Sequence, residues 1–455
     1  MTGRAVRPKP RVPAASAGTP EVDLTRAGSS RGWRGYLRAL GPGLVTGASD
    51  DDPSGVATYS QAGAQFGLSL LWVSLLTLPL MAGVQEICDR TALATGRGLG
   101  ELAAAKFQAR TRPILVVLIS ALIVANALNI AADLVAVGSG MNLLHAGPTW
   151  VWALVAGTLI TGLVIVGSFA QIARVFKLIC LALLAYFVVL FSVQVNWGQV
   201  GLHTVVPHIE VSNKEYLALL VAVLGTTISP YLFFWQSAHR LEELRAEPEG
   251  GDRAVPLKGR TKADAKYKER SSRGDVFTGM AFSNAVMFAI IVATASTLHG
   301  KKIGSAADAA AALKPVAGHW SSALFALGFI GTGMLAIPVL AGSGAAGMAG
   351  LLGKRWGFSR SVRKAPVFYS LVAVGTVGGT LLSLSSINPI QLLVVVAIIN
   401  GIAAAPFLLL VMLIAADPVL MGEYRNGKLA AILGWAAFTL MAAAAVVMLA
   451  QLAGL

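Results

Sequence analysis

Long apolar stretches separated by short polar ones dominate the chain. Runs such as Ile114–Ala125, Leu178–Val193 and Leu429–Leu449 recur from about residue 40 onward. Each approaches the roughly 20 residues that cross a ~30 Å hydrocarbon core. Eleven spans are predicted, at 40–64, 67–88, 113–141, 150–167, 172–194, 216–237, 275–298, 320–351, 367–385, 388–416 and 429–453. A bilayer offers no partner to an unpaired backbone group, so these spans are helices. A membrane barrel would instead show alternating segments of about ten residues. The fold class predicted is therefore an all-α membrane protein.

Composition agrees. Hydrophobic residues make up 55% of the 455, charged residues 13%, and mean hydropathy is +0.69. A soluble domain carries about 25% charged residues. The net charge of +14 would suit a nucleic-acid partner until the charges are placed. Of the 36 basic residues, 32 fall in the N-terminal segment, in 90–112, at Arg174 and Lys177, in 240–273, in 354–364, and at Arg425 and Lys428. Those are alternate loops. The opposite loops hold only Lys214, Lys301, Lys302 and Lys314. The positive-inside rule then predicts a multi-pass protein of a bacterial inner membrane, its N-terminus cytoplasmic. An odd number of spans places Leu455 outside. The partner is a lipid bilayer, not nucleic acid.

Residues 1–36 are rich in Pro, Ala, Arg and Ser and read as a disordered cytoplasmic tail. The membrane domain is expected over 37–455. The charged stretch 240–273 reads as a solvated, partly flexible cytoplasmic connector. Cys88 and Cys180 lie near span ends and form no evident disulfide or thiolate site.

Two spans are interrupted. In GPGLVTGASDDDPSGVATYS an apolar half stops at Asp50-Asp51-Asp52-Pro53-Ser54-Gly55, and a second half starts at Val56. In LLVAVLGTTISPYLFF the break falls around Gly225 to Pro230. Pro and Gly release the helical ladder. Interrupted helices opening each of two repeats point to a midplane binding site. Ordinary proline kinks would explain the Pro residues but not three consecutive aspartates. Each charged Asp costs about 2.5–3.5 kcal/mol at a helix centre. Asp50 and Asp51 are expected to meet water or hydrogen-bond partners, and Asp52 to face a cation. In the third span, Asn126, Asn129 and Asp133 share one helical face. Hydrogen bonding between helices explains the two Asn as readily as a pathway does; Asp133 is harder to account for by packing.

The segments GPG at 41–43, Asp52-Pro53, QAGA at 61–64, RTALATGRGLGELA at 90–103, AADLVAVG at 131–138 and LMGEYRNG at 420–427 resemble the Nramp family of divalent metal transporters. The resemblance implies a LeuT-type fold. That fold has two inverted five-helix repeats, here 40–194 and 216–416, and an eleventh helix at 429–453.

Departures from the family pattern share one chemical direction. The first-helix Asp-Pro-Gly-Asn reads Asp52-Pro53-Ser54-Gly55, so the metal-binding Asn becomes Gly55. The sixth-helix Met-Pro-His reads Ser229-Pro230-Tyr231. A glutamate on the family's proton route is replaced by Asn126. Loss of sulfur leaves an oxygen-only site, which suits hard cations. Mg²⁺ keeps several waters and needs few direct ligands. The smaller residues at 55 and 229 are expected to enlarge the cavity for a hydrated ion. The pattern is similar to the Nramp-related magnesium transporters.

The reading is a monomeric secondary transporter, not an enzyme. It imports Mg²⁺, with Mn²⁺ competing, by alternating access and without proton coupling, and it has no resident cofactor. Asp52 is the first expected ligand, with Ser229, the Thr226 carbonyl, Ser49 and the position of Gly55 around it. Asn400 either faces the site from the tenth span or packs locally. Tyr231, Asn126, Asp133 and Asp51 are assigned to the pathway. All six histidines fall in loops or at span ends, so none serves as a mid-membrane relay. Two other functions remain open at this stage. One is a proton-coupled Mn²⁺/Fe²⁺ symporter; the other is a sodium-coupled amino-acid transporter, against which the aspartate run argues. The absence of G-x-x-x-x-G-K-[ST] argues against ATP-driven pumping.

Overall fold

The computed structural model describes residues 42–166, 181–385 and 388–453. The predicted tail 1–36, the basic pair Arg174 and Lys177, the first part of the fifth span and Cys180 lie outside the described residues.

The first span is two helices, α1 (Pro42–Asp50) and α2 (Pro53–Phe66). Then come α3 (Trp72–Thr95), α4 (Leu99–Lys106), α5 (Arg112–Leu143), α6 (Thr149–Val166), α7 (Ala185–Ser192) and α8 (Trp197–Val205). The sixth span is also two helices, α9 (Lys214–Thr227) and α10 (Pro230–Ala246). The rest are α11 (Lys262–Thr297), α12 (Ser321–Leu351), α13 (Pro366–Ser383), α14 (Pro389–Ala415) and α15 (Lys428–Leu452). Both interruptions fall where the Pro residues predict, at Asp51–Asp52 and at Ile228–Ser229. Proline cannot donate within a helix and is favoured at the first position of a new one.

Seven stretches among the described residues are long and apolar enough to cross a bilayer, with α9 and α10 counted as one. The others fall short for local reasons. The first span is broken, α3 carries Gln85, Glu86 and Asp89, and the apolar helix at 149–165 is shorter. Large apolar side chains stand exposed at Val117, Leu381 and Ile432. That is where a lipid-facing surface leaves them.

Helices meet through small residues, as membrane bundles require in the absence of a strong hydrophobic drive between them. A side chain at Gly47 on α1 would place its Cβ 2.2 Å from the Gly279 carbonyl of α11. At Gly225 on α9 it would sit 2.2 Å from the Ala397 carbonyl of α14. The two half-helices that open the repeats are thus pressed against α11 and α14.

The charged stretch 240–273 departs from expectation. It is not a loose connector: α10 runs to Ala246, and α11 begins at Lys262, capped by Thr261. Within α11 the Glu269–Arg273 pair at helical spacing, 2.6 Å, supports the extension, and Arg260 just ahead of the helix pairs with Asp264 at 2.9 Å. Lys268 and Arg260 both reach Glu247, which ties the start of α11 to the end of α10. Charge here lengthens the helices beyond the apolar layer.

At the same end a buried polar network holds α1. Arg240 of α10 pairs with Asp89 of α3 at 2.7 Å and with Asp275 of α11 at 3.1 Å. Asp275 also accepts the Gly43 backbone N–H of α1 at 2.8 Å. Gln236 donates to Asp89 and accepts from Thr46 of α1. Removing Arg240 would leave two buried carboxylates without their cation, a loss of about 3–5 kcal/mol. Arg240→Gln should therefore lower the detergent melting temperature sharply. Removing the more exposed Lys106–Asp417 pair with Lys106→Ala should cost about 1 kcal/mol or less. Equal melting shifts for the two variants would contradict this account.

Candidate metal site

The two helix breaks face one another in the buried middle of the bundle. Asp52 is the N-cap of α2. Its Oδ1 accepts the Gly55 N–H at 2.9 Å and the Ser54 hydroxyl at 2.6 Å. Its Oδ2 faces the sixth span, with the Tyr231 hydroxyl 3.4 Å away. That hydroxyl is closer, at 3.1 Å, to the Ser49 carbonyl, so its single hydrogen serves the carbonyl. Oδ2 is left with acceptor capacity at the break.

The neighbouring aspartates behave as expected in part. Asp50 and Asp51 both accept from Ser283 of α11, at 2.6 and 3.2 Å. One hydroxyl carries one hydrogen, and Asp50 Oδ1 and Asp51 Oδ2 are buried with no hydrogen-bond partner. Neither aspartate meets solvent in this conformation, at 0% and 1% exposed. Both oxygens of Asp133 on α5 are likewise buried without a partner. Asp133 lies within electrostatic reach of Asp52. Its backbone carbonyl and the Pro53 ring lie 3.2 and 3.4 Å from where a Gly333 Cβ would stand. Among the described residues, none of these four carboxylates pairs with a Lys, Arg or His.

The remaining expected ligands are placed less simply. The Ser229 hydroxyl donates back to the carbonyls of Gly225 and Thr226, at 2.6 and 2.9 Å. It closes the end of α9 rather than aiming its hydrogen across the break. The Thr226 carbonyl is thereby engaged. The Thr226 hydroxyl instead reaches the Ser54 hydroxyl of the first break, at 3.1 Å. Ser49 donates its hydroxyl to the Val45 carbonyl and offers its own carbonyl to the site. Gly55 gains no room. A Cβ there would lie 3.3 Å from the Asp50 carbonyl, 3.3 Å from the Tyr59 ring and 3.4 Å from the Thr226 hydroxyl. The expected enlargement is absent in this conformation because neighbours close over the missing side chain.

Asn400 is not joined to the aspartate group by any described hydrogen bond. It pairs reciprocally with Asn129, at 3.1 and 3.3 Å, and so fastens α14 to α5. Asn126 donates to the Leu340 carbonyl and Ser343 hydroxyl of α12. The amide nitrogens of both Asn of the α5 stripe thus serve packing, while the Asn126 side-chain oxygen and both oxygens of Asp133 are left without a partner among the described residues. His239 sits within α10 rather than at a span end, its ring 5.1 Å from Trp235. Sequence reasoning overlooked Ser283, Tyr59 and Thr227. Tyr59 and Thr227 bridge the two broken spans at 3.2 Å. The adjacent polar residues Ser283 and Asn284 inside an apolar run were the available signal for α11.

Comparison with known proteins identifies the family and the fold. Residues 43–451 match the family described as "Natural resistance-associated macrophage protein-like". The chain belongs to the Nramp family. Among Nramp relatives, a "Divalent metal cation transporter MntH" of Verminephrobacter eiseniae is 27% identical over 88% of this chain and 86% of its own. One of the same name from Ralstonia nicotianae is 26% identical over 90% of each. A crystal structure of a manganese transporter from Eremococcus coleocola superposes with a TM-score of 0.71. It shares 16% identity and covers 93% of this chain and 88% of that one. A nucleobase-cation-symport-1 family transporter in a closed conformation superposes at 0.52 with 14% identity over 89% of this chain and 92% of that one. The fold is LeuT-type, and the Nramp protein is a transporter rather than an enzyme.

Asp52→Asn separates charge from fold, since Asn caps a helix as well as Asp. Metal uptake into proteoliposomes should be abolished while the melting temperature stays near wild type. Uptake at the wild-type rate would remove Asp52 from the site.

Proposed function

We propose that this Nramp transporter imports Mg²⁺ as a partly hydrated ion, with Mn²⁺ competing, by alternating access and without proton coupling. It acts as a monomer in a bacterial inner membrane, with the N-terminus cytoplasmic and the C-terminus outside. The observation that carries the proposal is the donor set at the break. Asp52 Oδ2, the Ser49 carbonyl and the hydroxyls of Ser54, Thr226 and Tyr231 are all oxygens. Oxygen donors favour hard cations, and Mg²⁺ retains waters that complete its shell. The Met287 sulfur lies 3.8 Å from the Thr227 hydroxyl, which meets Tyr59 rather than the donor set and gives its hydrogen to the Val223 carbonyl at 2.7 Å.

Membrane potential supplies the driving force. Two charges crossing 100 mV gain about 4.6 kcal/mol, a little over three decades of accumulation. Tyr231 and Asn126 replace the groups that would titrate near neutral pH, and a phenol ordinarily titrates near pH 10. A second reading rests on Asp133. Its two buried oxygens, unpartnered among the described residues, could carry a proton in an ordinary Mn²⁺ symporter, manganese being the cargo of the structural relative.

Ser229→Met, alone or with Gly55→Asn, should shift competition from Mg²⁺ toward Mn²⁺ or Cd²⁺, because thioether and amide donors displace hydration water. The single variant is the cleaner arm, since Gly55 is tightly enclosed. Exclusion of Mg²⁺ by the wild-type protein in competition with Mn²⁺ would overturn the hard-site reading.

Coupling is decided by a pH-sensitive dye inside proteoliposomes during metal entry, with valinomycin setting the potential. Uptake should follow the potential without acidification. Metal-dependent acidification above the empty-liposome background, lost in Asp133→Asn, would instead establish proton symport through Asp133.

A further inference from the structure

At the end of the bundle that carries the basic loops lies a cavity of about 600 Å³. It is formed by the end of α3, the start of α4, the end of α10, residues 252–254 and the segment after α12. Six cations line it: Arg97, Arg245, Arg253, Lys354, Arg355 and Arg360. Two carboxylates line it, Glu101 and Asp252, and a third, Glu242, lies against Arg245 and Arg360, so six cations and three carboxylates leave a formal charge of +3.

The internal pairing does not use up this charge. Arg360 takes Asp252 at 2.9 Å, and the Glu101 carboxylate accepts the Gly98 N–H at 2.9 Å. Arg245 lies over the Trp356 ring at 4.5 Å and donates to the Trp356 carbonyl. Arg97, Arg253, Lys354 and Arg355 are exposed and form no ion pair among the described residues. Behind them, Arg245 Nε, Arg360 Nε and Trp356 Nε1 are buried donors with no hydrogen-bond partner among the described residues. The pocket therefore has an excess of both charge and donors, and lacks acceptors. Like charges converging on one concavity repel, and an anion at the centre relieves the repulsion.

We propose that this cavity binds a soluble oligophosphate, of the nucleoside triphosphate or inorganic triphosphate class. Arg presents planar forks that match phosphate oxygens, and Lys354 adds a point charge. The volume falls within the range of ordinary ligand pockets. The polar wall, with Thr95, Gly96 and Asp252 among the cations, offers no bed for acyl chains, which favours a soluble phosphate over a lipid headgroup. This role is separate from transport energetics and requires no hydrolysis.

Isothermal titration of the full-length protein in detergent, with ATP and separately with inorganic triphosphate, tests the proposal. Both should bind saturably and compete with each other, and affinity should fall as salt rises. The variant Lys354→Gln/Arg355→Gln should lose at least tenfold in affinity with an unchanged melting temperature. The control Arg425→Gln/Lys428→Gln removes equal charge from the same end and should bind as wild type. Three outcomes overturn the proposal. They are no saturable binding of either anion, equal loss in both double variants, or retention of cardiolipin in nanodiscs with no affinity for triphosphate.

Discussion

Four aspartates, Asp50, Asp51, Asp52 and Asp133, lie at 0–1% exposure inside an apolar helix bundle, with no basic partner among the described residues. Burying one carboxylate away from water is costly unless it is paired and hydrogen-bonded. Among the described residues, the hydroxyls of Ser283, Ser54 and Tyr231 and the backbone N–H groups of Ser54 and Gly55 face the four of them. The rest of the site depends on that deficit. The proposed function places the cation between the broken spans, where oxygens rather than ammonium or guanidinium groups face the aspartates.

The break makes this arrangement possible. Pro53 and Pro230 end the helical ladder and open each new helix, with Asp52 capping α2 and Ser229 at the N-cap position of α10 without a capping hydrogen bond. Asp52 spends one oxygen on its own helix and keeps the other for the opposite span. Ser229 spends its hydrogen on the carbonyls at the end of α9. Tyr231 then joins the two breaks through the Ser49 carbonyl. At Asp52 one carboxylate thus holds the cap through Oδ1 and, in the proposed site, the ligand position through Oδ2, and Asp→Asn is the informative change there because it preserves one role and removes the other.

Charge is handled oppositely at the basic end. Arg240 there lies between Asp89 and Asp275, and Asp275 also takes the Gly43 N–H, so the first half-helix is fastened where the carboxylates are fully paired. The contrast between a satisfied network at the end of the bundle and an unsatisfied one at its middle separates what holds the helices together from the candidate metal site.

The sequence by itself determined the helical class, the family and the positions of both breaks. Apolar run length answers directly to bilayer thickness, and proline's missing N–H is a local property. Asp52 and Asp133 were legible for the same reason, since a charge in an apolar run needs an explanation at any tertiary arrangement. The roles of the neutral polar residues were not legible. Asn126, Asn129 and Asn400 share a face with Asp133 or lie in a polar gap, yet they are consumed in helix-to-helix hydrogen bonds. Ser283, 230 residues from Pro53, came to the aspartates only when α11 packed against α1 through Gly43, Gly47 and Gly279. The room expected at Gly55 was taken by Tyr59 and Thr226. A hydroxyl or amide can be satisfied by any neighbour within about 3 Å. Which neighbour that is depends on helix packing, and so only the tertiary structure decided it.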